Sequence, residues 1–117
     1  MNLDDLTPWL VPALAVAYFG WRAYQFRAAK TRLPELLRRG AVVVDVRSPA
    51  EHAAGARPGS LNIPLGDLER RAGELDASKP VVLCCASGTR SAMAAGILKR
   101  RGFKEVVNAG PWTNTLC

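Results

Sequence analysis

Histidine and cysteine are scarce in this chain. His52 stands alone, and the three cysteines, Cys84, Cys85 and Cys117, are an odd number with two adjacent. No His/Cys grouping has the spacing of a structural zinc site or a haem attachment, so neither is expected, and no metal. An odd set containing a neighbouring pair does not make a secreted disulfide scaffold, and it points to a reducing compartment. Aromatic residues supply only 7% of the chain, so a core must be built from Val, Leu and Ala. Internal repeats and low-complexity tracts are absent. The 16 basic residues outnumber the 10 acidic ones but are scattered, with no continuous stripe interleaved with aromatics. That distribution excludes a nucleic-acid partner and leaves a positive field suited to an anionic substrate. At 117 residues there is room for one small domain.

One stretch of 16 residues carries no charge, Leu6–Trp21. As a helix it measures roughly 24 Å, against about 30 Å for a bilayer core. Continuing through Phe26 with Arg22 reaching toward the interface makes up the difference. Trp9, Tyr18, Trp21 and Tyr24 lie near the two ends. A cleaved leader is disfavoured because Asp4 and Asp5 stand where a positive segment is required. The expectation is therefore an N-terminal transmembrane anchor over residues 1–30 and a globular domain over 31–117. All nearby cations, Arg22, Arg27, Lys30 and Arg32, follow the span. They place the domain on the cytoplasmic side of a single-pass protein, with the lipid bilayer and a membrane protein as partners.

In the globular part, Leu33, Leu36 and Leu37 before Gly40 predict a short helix with a glycine cap. Ala41–Val46 reads as a buried strand. Ser48-Pro-Ala-Glu51 has the form of a capping box and starts a helix. Leu61–Ile63 is a short strand. Asp67 to Leu75 predicts an amphipathic helix with Leu68, Ala72 and Leu75 inward. Val81–Cys84 is a second buried strand. Ser91 to Arg101 predicts a helix with Ala92, Ala95 and Leu98 inward and Gly102 at its end, and Lys104–Val107 a third strand. Alternation of strands and helices gives an α/β class, with a mainly parallel sheet covered by helices on both faces.

The chemistry concentrates in Cys85-Ala-Ser-Gly-Thr-Arg90. A buried strand ends in a thiol, a short loop follows, and a helix begins. The free N–H groups of a helix start attract anions. A thiol placed there, beside a guanidinium, is biased toward the reactive thiolate. Cys84 precedes it on the strand and faces the other way as a small apolar residue. Cys117 is incidental or a mobile relay thiol. Glu51 reads as the capping-box partner alone, and Asp45 and Arg47 as structural, with a secondary substrate role open for Arg47.

These segments resemble the rhodanese (thiosulfate sulfurtransferase) family over about residues 31–112. Val44-Asp45-Val46-Arg47 is similar to its early D-x-R strand end. Glu51 with Gly55, followed by Pro58-Gly59-Ser60-Leu61-Asn62-Ile63-Pro64, resembles its E-x3-G and P-G-[AS]-x-N-[IL]-P segment. Cys85-Ala-Ser-Gly88-Thr-Arg90-Ser91 resembles its active-site loop, and Gly102-Phe103 and Asn108-Ala-Gly110 its closing segment. The chain departs from the pattern in lacking the usual His before Pro58 and in ending five residues after Trp112. The resemblance implies a rhodanese-like fold and no cofactor. It implies a sulfurtransferase in which Cys85 takes a sulfane sulfur from thiosulfate or a persulfide and passes it to a thiol or cyanide. The backbone amides of Ala86, Ser87, Gly88, Thr89 and Arg90 would stabilise the persulfide, with Arg90 also binding the donor. Cysteine phosphatases and arsenate reductases of similar loop plan have five residues between Cys and Arg. Four stand here, a ring better sized for one sulfur. A non-catalytic interaction or sensing module at the membrane is the alternative.

Overall fold

The computed structural model describes residues 2–116, so Cys117 lies outside the described residues. Four strands form one all-parallel sheet in the order β2-β1-β3-β4: β1 Val42–Asp45, β2 Leu61–Asn62, β3 Val81–Cys85 and β4 Val106–Pro111. The β-branched runs that supply β1 and β3 sit at the centre, where strands buried on both faces require continuous apolar sequence.

Each face has its own cover. Helix α4, Thr89–Arg100, and the short α3, Leu68–Arg71, enclose Val44, Val46, Ile63, Leu83, Cys85 and Leu98 on one side. Helix α1, Leu3–Arg38, closes the other over Val43, Val82, Cys84 and Ala109, through Ala29, Leu33 and Leu36. The adjacent cysteines thus occupy opposite faces, as strand alternation demands. Helix α2, Pro49–Ala54, starts at the complete Ser48/Glu51 capping box.

α1 corrects two expectations. The predicted short helix before Gly40 is its last turns, for α1 runs unbroken across residues 30 and 31 and through Pro34 to the left-handed Gly40. The expected transmembrane helix is not borne out either: among the described residues no helix is long and apolar enough to cross a membrane. The uncharged stretch is too short. Thr7, Pro8, Pro12 and Gly20 lower its hydropathy, and Asp5 and Arg22 bound it. The first half of α1 stands clear of the sheet, leaving Trp9, Leu10, Val11, Val16 and Phe19 exposed.

Elsewhere the differences are local. The expected helix from Asp67 is divided into a 3-10 turn, α3 and a second 3-10 turn, with glycines Gly66 and Gly73 in the two flanking turns. Leu68 and Ala72 are buried as expected. α4 begins two residues early at Thr89, and its inward face is Ser91, Ala94, Ala95 and Leu98, so Ala92 is exposed rather than inward. β4 runs four residues past the predicted strand end. The chain then makes a 3-10 turn over Trp112–Thr115, where Asn114 donates to the carbonyls of Phe26 and Ala109 and ties the tail to α1.

Candidate active site

The site is built where β3 ends and α4 begins, at the carboxyl edge of the sheet, where open α/β sheets place their ligands. Gly88 makes the turn. Its φ of +105° is a left-handed conformation that side-chain-bearing residues rarely adopt. The turn brings the Gly88 N–H back onto Cys85, where it donates to Sγ at 2.8 Å. Cys85 is buried, with Ala86 and Ser87 exposed above it and Arg90 half-buried in the first turn of α4.

Ser91 lies beneath the loop. Its single hydroxyl proton has three acceptors in reach: Asn108 Oδ1 at 2.6 Å, the Gly88 carbonyl at 3.1 Å and Cys85 Sγ at 3.4 Å. The shortest contact holds the proton on Asn108 while Cys85 is a thiol. A thiolate can draw it across. Asn108 is aimed here by a bulge: Leu83 pairs with Asn108 but Cys84 with Gly110, and the Gly110 N–H fixes Asn108 Oδ1 at 2.9 Å.

Burial alone would raise the Cys85 thiol. Hydrogen bonds from Ser91 and from the amides of Gly88 and Ser87 outweigh it and hold the thiol below its ordinary value. Cys84 is the opposite case. Burial first, then the nearby Asp45 carboxylate, push it up to about 12. Iodoacetamide at pH 7.5 is therefore expected to label Cys85 and spare Cys84. Because the folded-state value is depressed, the Cys85 labelling rate should level off at lower pH than for a free thiol. Peptide mapping across pH 5–10 checks this, and equal labelling of the two cysteines would refute it.

Arg90 is at the loop, but its guanidinium makes a two-pronged pair with Glu51, at 2.8 and 3.0 Å. That pair, with the Ser48 amide, draws the Glu51 carboxyl down to about 2. Glu51 is thus more than a capping residue, since it fastens α2 to α4. Asp45 and Arg47 are both buried and bonded to each other, with the closest contact 2.6 Å. Arg47 also donates to the Gly55 carbonyl at 2.7 Å and lies 4.9 Å from the Trp112 ring centre. They support the sheet end and are fully engaged there.

One group at the site was not foreseen. Phe26 of α1 packs on Gly88 and Gly110. A Cβ added at Gly88 would meet Phe26 Cζ at 2.6 Å, and one at Gly110 would meet its ring at 2.9 Å. The signal was in the spacing. Phe19, Arg22, Phe26, Ala29, Leu33 and Leu36 follow a 3-4-3-4-3 pattern, one stripe of a single helix.

Comparison with known proteins agrees with this geometry. The family described as the rhodanese-like domain matches residues 29–109. The chain belongs to the rhodanese-like family. A sulfurtransferase of Allochromatium vinosum is 37% identical to it over 57% of this chain and 63% of that one. The thiosulfate sulfurtransferase GlpE of Ectopseudomonas mendocina is 35% identical over 68% and 73%. Among solved structures, the human single-domain sulfurtransferase TSTD1 superposes with a TM-score of 0.64 at 31% identity, covering 74% of this chain and 90% of that one. The chain spans between 40% and 70% of the length of the first three curated relatives it matches. The matched region of this rhodanese-like chain begins inside α1, at the buried Ala29.

Proposed function

We propose that this domain is a rhodanese-type sulfurtransferase with Cys85 as its nucleophile. The observation that carries the reading is the Gly88 N–H donating to Cys85 Sγ at 2.8 Å, in a loop with four residues between Cys85 and Arg90. A sulfur added to Sγ would extend this thiolate outward over the amides of residues 86–90, whose N–H groups offset its charge. With thiosulfate, the Cys85 thiolate attacks the outer sulfur. The sulfur–sulfur bond breaks with its electron pair on sulfite, and a Cys85 persulfide anion remains. An acceptor thiolate or cyanide then takes the terminal sulfur and restores the thiolate. Charge balances in each step without an external oxidant. Arg90 reaches a donor only by leaving Glu51, so in this reading it first holds the start of α4 in place.

The test is the intact mass of the purified chain after thiosulfate or a low-molecular-weight persulfide, with and without reductant. The expected result is a reductant-sensitive gain of about 32 Da that maps to Cys85. No gain with either donor would overturn the reading and leave a binding module on the same fold.

A further inference from the structure

The arginines around the loop differ in how they are occupied. Arg90 is held by Glu51, Arg47 by Asp45, and Arg57 by the carbonyl of Thr115. Arg22 of α1 pairs with no carboxylate among the described residues. Its Nη1 donates to the Tyr18 hydroxyl at 3.1 Å, and its Nη2 is buried with no hydrogen-bond partner among the described residues. The guanidinium carbon lies 5.3 Å from the Phe26 ring centre and 5.7 Å from that of Tyr18. Nη2 stands 2.8 Å from where a Gly88 Cβ would be. This cation therefore sits against the outer side of the residue whose amide cradles Cys85. A buried charged donor without an acceptor is costly, and an anion brought to it recovers that cost.

The surroundings say what kind of anion. Phe19, Arg22, Ala23 and Phe26 form one wall of an open cleft of about 390 Å³, and Ser87 and Thr89 of the active-site loop form the other. Arg22 is the one charged residue of this lining, and its planar guanidinium is matched in shape by two oxygens on one centre.

We propose that Arg22 binds the sulfonyl oxygens of the sulfur donor, and that Phe19 and Phe26 favour donors bearing an apolar group on the sulfonyl sulfur, organic thiosulfonates, over thiosulfate. This rests on the sulfur-transfer reading above. In the step, the Cys85 thiolate attacks the terminal sulfur of RSO2S⁻. The bond from that sulfur to the sulfonyl sulfur breaks with its electrons on the sulfinate RSO2⁻, and the Cys85 persulfide anion forms. Two anions give two anions, and no proton or oxidant is needed. Arg22 stays on the same oxygens from donor to sulfinate, so its effect falls on binding.

The experiment measures persulfide formation by the full chain against thiosulfate and benzenethiosulfonate concentration. Wild type, Arg22→Gln, Arg22→Lys and Phe19→Ala are compared. Wild type should have a lower KM for benzenethiosulfonate than for thiosulfate. Arg22→Gln should raise KM for both donors about tenfold with kcat within about twofold, as expected for one lost charge-assisted contact. Arg22→Lys should recover part of the loss. Phe19 is an exposed residue whose truncation leaves the core intact. Phe19→Ala should raise KM for benzenethiosulfonate alone. The subsite is overturned if wild type forms the persulfide and Arg22→Gln leaves both KM values unchanged. It is equally overturned if Arg22→Gln lowers only kcat, which would mean the side chain merely props the loop. Failure of wild type with both donors and with a persulfide would instead remove the sulfur-transfer reading itself.

Discussion

Cys85→Ser is expected to reduce sulfur transfer to background, a loss of about a thousandfold or more, while Cys84→Ala retains it. A serine hydroxyl keeps the size and hydrogen bonds of the site but cannot hold a sulfane sulfur as a persulfide. Cys84 differs from its neighbour in everything but sequence position. It packs with Leu33, Leu36 and Val82 under α1, on the far side of the sheet, and burial pushes its thiol up to about 12. It is therefore protonated across the working range and faces away from the loop. Its replacement by Ala should cost roughly 1 kcal/mol of stability through lost packing. The two variants are compared by thiosulfate-dependent thiocyanate formation and by intact mass. A Cys84→Ala chain that is folded yet as inactive as Cys85→Ser would show that the roles have been assigned to the wrong thiol.

The order of elements was legible because each is coded locally. Ala41–Val46 and Val81–Cys84 are apolar runs that only a doubly covered strand tolerates. Ser48, Pro49 and Glu51 define a helix start, and Gly40 and Gly102 define helix ends. The loop from Cys85 to Arg90 was legible for the same reason, since its turn residue and its thiol are three apart. What was hidden lies in contacts distant along the chain. Arg90 finds Glu51 across 39 residues, and Ser91 finds Asn108 through a bulge that no pattern of β4 announces. The anchor expectation had the same origin. The uncharged run in α1 was weighed by itself, whereas the stripe that docks Ala29, Leu33 and Leu36 on the sheet continues outward through Phe26 and Arg22. α1 was thus read as a separate segment, yet it forms one wall of a cleft whose other wall is Ser87 and Thr89 of the active-site loop.

Asp45→Asn should destabilise the domain by about 3–5 kcal/mol, a large share of the 5–15 kcal/mol that holds a small domain together. Both oxygens of Asp45 accept from Arg47, whose side chain is itself almost wholly buried. Removing the carboxylate charge leaves a guanidinium out of water with the Gly55 carbonyl and the Trp112 face as its main compensation. The cost is that of the orphaned cation rather than of the ion pair. For that reason the double variant Asp45→Leu with Arg47→Met should recover much of the loss, since apolar side chains of similar volume often replace a buried pair without penalty. Urea unfolding of the three variants against wild type measures this. An unfolding free energy for Asp45→Asn within about 1 kcal/mol of wild type would mean that water reaches Arg47 at the sheet end. The pair also supports the site. Asp45 ends β1 beside Cys84, and its carbonyl and that of Arg47 hold the Asn62 amide at 3.0 Å each, which fixes β2 beside the same edge. The double variant lacks Arg47's contacts to the Gly55 carbonyl and the Trp112 ring, and so loosens the tail whose Asn114 donates to the Phe26 carbonyl. Sulfur transfer in the double variant should therefore fall with temperature before global unfolding, whereas in Asp45→Asn, which keeps Arg47, the two should coincide.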